Sequence, residues 1–274
     1  MATFKYKAYT IHYQLDGDEH LPVLVILNGI MMSHKSWDLF IDDFSTHFQV
    51  LRLDMIDQGE SSKAENDYTQ AIQVDMLKAL FDHLTIRKAH ILGISYGGSI
   101  ALQFAAKYLS SVDKLLLFNI VAKTSDWLKA IGDGWNAVAK TRDGNAYYHI
   151  TIPYIYSPLF YQERLDWMNQ RKELLIPLFS NPEFLDAMIR LTKSAETHDV
   201  TASLGSINTP TLVVSGSLDY LTPPFEQEAV VKAMPNAHHV IFEGAGHASM
   251  YEQPQLFVTT VLGFLLTQKT PSKI

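Results

Sequence analysis

At 274 residues, 47% of them hydrophobic, the chain is long enough for one α/β domain or two small ones and can bury a large single core. A formal charge of −7 and an isoelectric point near 5.8 leave no basic footprint for a phosphate backbone or an anionic lipid surface, so neither nucleic acid nor a membrane is an expected partner. The chain has no cysteine, which excludes disulfides and thiolate metal sites.

Met1 to Tyr13 alternates charged and aromatic residues without an apolar h-region, and no apolar run reaches the roughly 18 residues of a membrane span. The expectation is a soluble, cytoplasmic protein, with oligomeric state left open. The C-terminal Ser272-Lys273-Ile274 is similar to a peroxisomal S-K-L address but ends in Ile rather than Leu. Phe4 to Ala8 and Thr10 to Leu15 alternate as two antiparallel strands closed by Asp16-Gly17, an edge ribbon. Val23 to Leu27 is a continuous apolar run, the pattern of a strand covered on both faces in a parallel sheet. It leads into Asn28-Gly29-Ile30-Met31-Met32-Ser33 and a helix near Trp37.

Gln49 to Leu53 is the next strand, followed by Asp54 to Ser61 and a helix capped at Thr69, with Ile72, Met76, Leu77, Leu80, Phe81 and Leu84 on its apolar face. A further strand runs from Lys114 to Asn119. From about Val121 to Ser206 the alternation stops. Aromatic residues crowd between Tyr147 and Trp167, and Pro153, Pro158, Pro177 and Pro182 mark helix ends, so this segment reads as a helical insertion. The pattern resumes with a strand from Thr211 to Ser215, a helix around Phe225 to Ala233, a strand from His238 to Phe242 and a helix from about Gln255 to Thr267. Strands alternating with helices specify βαβ units and a parallel sheet.

Lys88 to Tyr108 carries the chemistry. The apolar His90-Ile91-Leu92 meets Gly93-Ile94-Ser95-Tyr96-Gly97, and apolar residues then recur at helical spacing through Ile100, Ala101, Phe104 and Tyr108. A strand, a sharp turn and a helix in this order hold Ser95 in a strained conformation, with Gly93 and Gly97 supplying the small residues the crowded turn needs. The helix N-terminus then faces whatever Ser95 attacks, and the Tyr96 N–H is a candidate oxyanion donor. Ile30 N–H, in the loop after the Val23 strand, is the second. The pattern alone proves little, because G-x-S-x-G arises by chance in about one chain in ten of this length.

A serine hydroxyl needs a base to take its proton, and the base needs a carboxylate to fix its tautomer. Asp219 lies just past the strand that ends at Ser215, and His247 just past the strand that ends at Phe242. Ligands in open α/β sheets bind at the carboxyl ends of strands, so Ser95, Asp219 and His247 are expected to converge there. Asp126 is a rival for the acid.

Taken together, Asn28-Gly29-Ile30, the D-x-x-x-x-G-x-S segment from Asp54 to Ser61, Gly93 to Gly98, Ser215 to Asp219 and the run from Gly244 to Pro254 make the chain resemble the α/β-hydrolase-fold superfamily nearly end to end. Within it the chain is similar to small capped esterases and enol-lactonases. The resemblance implies a mostly parallel central sheet of about eight strands with flanking helices, with residues 1–120 and 207–274 as the core and 121–206 as a helical cap. It implies a cofactor-independent serine hydrolase acting on a small-molecule carboxylic ester or lactone through an acyl-enzyme. Ser95 would be the nucleophile, His247 the general base and then acid, Asp219 the orienting carboxylate, and Ile30 and Tyr96 the oxyanion donors. A carbon-carbon bond hydrolase for diketones shares this triad, and a ligand-binding receptor on the same fold is the reading from another class. Two positions depart from the pattern: Asn28 stands where relatives usually have His, and Asp57-Gln58 replaces Gly-His.

Met31 and Met32 would give the pocket an adaptable apolar wall. Tyr154 and Trp167 either line it or fill the core of the insertion. Asp54 is expected to tie down its loop, and Glu252 with Pro254 to anchor the last helix. No metal is expected: His238 and His239 alternate faces of a strand, and His34, His149 and His198 have no ligand spacing.

Overall fold

The computed structural model of the chain describes residues 2–267; Ser272-Lys273-Ile274 lies outside them. The chain opens with a hairpin, β1 (Ala2–Tyr6) and β2 (Tyr9–Asp16), paired antiparallel from Ala2↔Tyr13 to Tyr6↔Tyr9. Strand and helix then alternate through β3 (Val23–Leu27), α1 (Ile41–Ser45), β4 (Gln49–Leu53), α2 (Ala71–His83), β5 (Ala89–Ile94), α3 (Tyr96–Lys107) and β6 (Val112–Phe118). After β6 come α4 (Asp126–Ala139), α5 (Gly144–Ile155), α6 (Pro158–Glu163), α7 (Leu165–Phe179) and α8 (Pro182–Ala195). The sheet resumes with β7 (Thr211–Gly216), α9 (Pro224–Ala233) and β8 (Ala237–Phe242), and the chain continues into α10 (Ser249–Glu252) and α11 (Pro254–Leu266).

The eight strands lie in the order β1-β2-β4-β3-β5-β6-β7-β8. Pairings β1–β2 and β2–β4 are antiparallel, and the rest are parallel, so the hairpin is indeed an edge ribbon on an otherwise parallel sheet. Each parallel strand splits its side chains between two cores, as the period of two demands. Val25 and Leu27 of β3 face a core shared with α2, α3 and α9, whereas Leu24 and Ile26 face one built with Trp37, Phe40, Phe44 and Phe257. Burying large apolar side chains of this kind contributes about 1.5–3 kcal/mol each. No helix among the described residues is long and apolar enough to cross a membrane.

Pro158 and Pro182 sit in the first turns of α6 and α8, where a missing N–H costs nothing, and Pro153 and Pro177 lie near the ends of α5 and α7. Two local expectations shift. Gln70 rather than Thr69 precedes α2, and its amide is committed across the chain, to Ser99 Oγ at 3.2 Å and to Gln103 at 2.6 Å. The helix expected near Trp37 is a 3₁₀ turn, His34–Trp37, followed by the short α1. Here the backbone is held by contacts outside the turn, with His34 N–H donating to Asp54 Oδ1 at 2.6 Å and the Trp37 indole donating to Asn28 Oδ1 at 2.7 Å.

Candidate active site

Ser95 occupies the single residue between β5 and α3, with φ 52° and ψ −116°. A non-glycine residue in this region is strained by about 1–3 kcal/mol. Its surroundings hold it there: Ser95 N–H donates to Phe118 O at 2.9 Å, and its carbonyl accepts from Ser99 N at 3.0 Å. The turn closes only because its neighbours lack side chains. A Cβ on Gly93 would lie 2.6 Å from Gly97 O, and one on Gly97 would lie 2.6 Å from Asn28 O.

The three expected side chains meet at the carboxyl ends of β5, β7 and β8. Ser95 Oγ is 2.8 Å from His247 Nε2, and His247 Nδ1 is 2.8 Å from Asp219 Oδ2. Asp219 is 2% exposed and fully engaged. Its Oδ1 accepts from Leu221 N at 2.9 Å and Thr222 N at 3.0 Å, and its Oδ2 accepts from Thr222 Oγ1 and Asn119 Nδ2, each at 2.7 Å. Burial alone would raise this carboxyl, but His247 and the Thr222 donors outweigh it and hold the group below the ordinary aspartate value. A carboxylate so fixed keeps the imidazole proton on Nδ1 and leaves Nε2 free to take the Ser95 proton.

Asp126, the rival acid, begins α4 with a fully exposed side chain 3.9 Å from Lys129 and takes no part in this network. The position that matters after β6 is instead Asn119, at φ 55°, which the sequence reading missed. It bridges Asp219 and Ser249, whose Oγ donates to Asn119 Oδ1 at 3.0 Å.

The two departures from the family pattern answer each other. Asn28 Nδ2 donates to Leu53 O at 2.9 Å and to Gln58 Oε1 at 3.2 Å, while Gln58 Nε2 donates to Gly29 O at 2.9 Å. An amide pair thus fixes the loop that carries Ile30. Asp57, with φ 73°, accepts both Nε and Nη2 of Arg190 on α8, at distances down to 2.6 Å, and so ties the insertion to the core. Ile30 N–H and Tyr96 N–H donate to no other group among the described residues, and both residues border the cavity at Ser95.

That cavity, about 180 Å³, lies between the sheet edge and the helical insertion. Met31 and Met32 line it. Tyr154 and Trp167 do not. On α5 Ile152 and Ile155 reach it, as does Tyr156 just past the helix end, since Tyr154, two positions after Ile152, is rotated about 200° from it around the helix. Trp167 packs on Tyr156 and Phe160, with ring centroids 5.6 and 5.4 Å away, and it is Arg171, one turn further along α7, that lines the cavity. Trp135 on α4 lines it too.

Glu252 and Asp54 work as ties. Glu252 accepts from Ser157 N and Gly246 N, both at 3.0 Å, joining the start of α6 to the His247 loop, and burial raises its carboxyl above the ordinary glutamate value. Asp54 accepts from His34 N, Glu60 N at 2.9 Å and faces His34 Nδ1 at 2.8 Å. Spacing concealed that the fold gathers His12, His34 and Asp54, all buried, with potential ligand atoms within 4.8 Å of one another. These three could hold a metal ion, but the Asp54 oxygens are already taken by N–H donors, and the cluster acts here as the knot that fastens the loop.

The alpha/beta hydrolase fold family matches residues 22–254 of the chain. Among solved structures, MGS-M2, an alpha/beta hydrolase enzyme from a Medee basin deep-sea metagenome library, is 58% identical, covers 100% of both chains and has a TM-score of 0.97. The 3-oxoadipate enol-lactonase 1 of Acinetobacter baylyi is 29% identical over 261 residues, 93% of this chain and 93% of its own length. The putative carbamate hydrolase RutD of Pseudomonas savastanoi pv. phaseolicola is 26% identical over 252 residues, 90% of this chain and 95% of its own.

Proposed function

The chain belongs to the alpha/beta hydrolase fold family and is a hydrolase of that fold, and from this premise we propose that it is a cofactor-independent serine hydrolase cleaving a carboxylic ester or lactone through an acyl-enzyme. The observation that carries the reading is the continuous relay from Ser95 Oγ through both ring nitrogens of His247 to Asp219, with 2.8 Å at each step.

On this reading His247 Nε2 takes the Ser95 proton as Oγ attacks the carbonyl carbon. The tetrahedral oxyanion sits between Ile30 N–H and Tyr96 N–H, where one such donor is worth about 2.7–4 kcal/mol of barrier. His247 then gives the proton to the leaving oxygen. In an ester the alcohol departs; in a lactone it stays tethered to the acyl group. Water, activated by the same imidazole, releases the acid and restores Ser95. Residues 121–206 act as a cap over a site built by residues 1–120 and 207–274, and Arg190 and Ser157 are among the points where that cap is fastened.

Ser95→Ala tests the reading directly. Turnover should fall by about 10⁴- to 10⁶-fold while the far-ultraviolet spectrum and melting temperature stay near wild type. Retention of more than a tenth of wild-type activity would overturn it. A panel of p-nitrophenyl esters from acetate to decanoate, run beside small lactones and a diketone, separates ester from lactone and from carbon-carbon cleavage.

A further inference from the structure

A second histidine network joins two residues that line the cavity, Ser99 and Val121. Its centre is His198, where the helical insertion rejoins the core. The His198 carbonyl accepts from Thr124 N at 3.0 Å, Val200 N donates to Ala122 O at 2.8 Å, and Lys123 and Asp199 form a single antiparallel bridge. The outgoing and returning segments of the insertion are thus strapped together at this residue, which is 5% exposed and stands apart from the relay of Ser95, His247 and Asp219.

Both ring nitrogens of His198 are used. Nε2 faces Val121 O at 3.0 Å and carries the proton, since a carbonyl only accepts. Nδ1 is then bare and accepts from Gln103 Nε2, on α3, at 3.0 Å. The same amide nitrogen donates to Gln70 Oε1 at 2.6 Å, Gln70 Nε2 donates to Ser99 Oγ at 3.2 Å, and Ser99 Oγ donates to Tyr96 O at 2.9 Å. The bare nitrogen of His198 therefore sets the sense of every bond in the chain. Gln70 and Ser99 are both buried, so water is poorly placed to replace a lost partner. The chain ends at the turn that holds the nucleophile. Ser99 N donates to Ser95 O, and that carbonyl belongs to the peptide that supplies the Tyr96 N–H.

A proton on Nδ1 is incompatible with this order, because Nδ1–H would then face the Gln103 N–H. Relief requires the Gln103 amide to turn its oxygen to the imidazolium, the Gln70 amide to turn in response, and the Ser99 hydroxyl to leave Tyr96 O for Gln70 Oε1. The one added proton comes from water and stays on His198. Gln103 is half-buried beside a small groove lined by Ala71, Ala106, Lys107 and Ser203, where the N–H it releases meets solvent. Burial holds the His198 imidazole below the ordinary histidine value, with the Val121 carbonyl and the Asp199 carboxylate partly opposing it. The charged groups around this network are Asp199, 3.7 Å from Lys123 Nζ, and Lys107 of α3, paired with Asp75.

We propose that His198 is a positioning residue for the turn at Ser95: neutral, it orders Gln103, Gln70 and Ser99 so that the Ser99 hydroxyl holds the Tyr96 carbonyl, and protonated, it reverses that order and lowers turnover. The proposal rests on the serine hydrolase reading for turnover, but not for the coupling between His198 and Tyr96.

Hydrolysis of p-nitrophenyl butyrate, read at the isosbestic wavelength of the product, tests it. His198→Ala leaves Gln103 and Val121 without partners and should lower kcat about 2- to 10-fold near pH 8, with KM within about twofold of wild type, as the loss of one neutral hydrogen bond predicts. His198→Gln offers an acceptor and a donor without titrating, and should recover most of that loss. The ratio of kcat, wild type over His198→Gln, cancels the titration of His247 and should fall about 2- to 10-fold between about pH 8 and pH 5, because the wild-type imidazole charges only below about 6.5. A ratio that stays level across that range overturns the proposal. Nuclear magnetic resonance of Ser95→Ala separates this from failure of the mechanism: the Tyr96 amide should follow the titration of the His198 ring and lose that response in Ser95→Ala/His198→Gln. A Tyr96 amide indifferent to His198 sinks the proposal even if Ser95 is the nucleophile. One that follows it upholds the coupling even if Ser95 is not.

Discussion

On the sheet side of the cavity Asp219 accepts from Leu221, Thr222 and Asn119 and faces His247, while on the side of α4 and α7 the Trp135 and Arg171 donors have no acceptor. The sheet side is finished before any ligand arrives. Its side chains stand at strand ends whose positions are set by the backbone ladder, so the hydroxyl, imidazole and carboxylate are held in register at little further cost in entropy. Chemistry placed on the rigid wall and selection placed on the helical one would let substrate preference change without disturbing the relay.

The largest effect that would sharpen this contrast is at Asp219. Asp219→Asn should lower kcat by about 10⁴-fold because the imidazole loses its enforced tautomer, whereas Asp126→Asn, at an exposed helix start, should stay within about twofold of wild type. Steady-state kinetics of the two variants checks this, and a crippled Asp126→Asn beside an active Asp219→Asn would move the acid to the insertion. Next in size is the fastening between the two sides. Arg190→Met strands the Asp57 carboxylate, whose side chain is 0% exposed, and should cost about 3–5 kcal/mol in chemical denaturation. Adding Asp57→Asn to that variant should recover much of the loss. If Arg190→Met costs under about 1 kcal/mol, the insertion is held by its apolar contacts and not by this pair.

Smaller effects should appear as opposite responses to pH. Glu252, with a raised folded-state value, binds more protons in the folded than in the unfolded chain, so its contribution is present below the ordinary glutamate value and fades as pH rises through the raised one. The melting-temperature advantage of wild type over Glu252→Gln should therefore shrink as pH climbs from about 4 to neutrality. Asp219 has the reverse sign: its contribution is present above the ordinary aspartate value and is lost as pH falls through the depressed one. Wild type should lose its stability advantage over Asp219→Asn only in acid, below about pH 4. Parallel slopes for the two variants would mean that the seam at Glu252 and the relay at Asp219 do not hold their carboxylates in distinct environments.

How far the molecule could be read from its residues differs along the same divide. Gly93, Ser95 and Gly97 announce a strand-to-helix turn within a few residues, because the steric conflict that demands glycine is local. Asp219 and His247 were found because each follows a short apolar strand, and parallel strands bring their carboxyl ends to one edge whatever lies between. Asn119 escaped because its role needs a positive φ after β6 and the neighbouring β7 loop, neither of which its own flanks reveal. Tyr154 and Trp167 misled for a related reason. Aromatic density marks the insertion as a place where rings gather, but which ring faces the cavity depends on the rotational phase of α5 and α7, and that phase is set by their packing partners.

The sequence by itself therefore determined the order of elements, the parallel sheet, the turn at Ser95 and the positions of Asp219 and His247, because period, glycine placement and strand ends are properties of short stretches. Tertiary structure alone decided the pairing of Asn28 with Gln58 and of Asp57 with Arg190, and the turning of Trp135 and Arg171 into the cavity. Those contacts join residues far apart in the chain, and the free energy that selects them comes from burial and pairing that exist only once the helices have closed over the sheet.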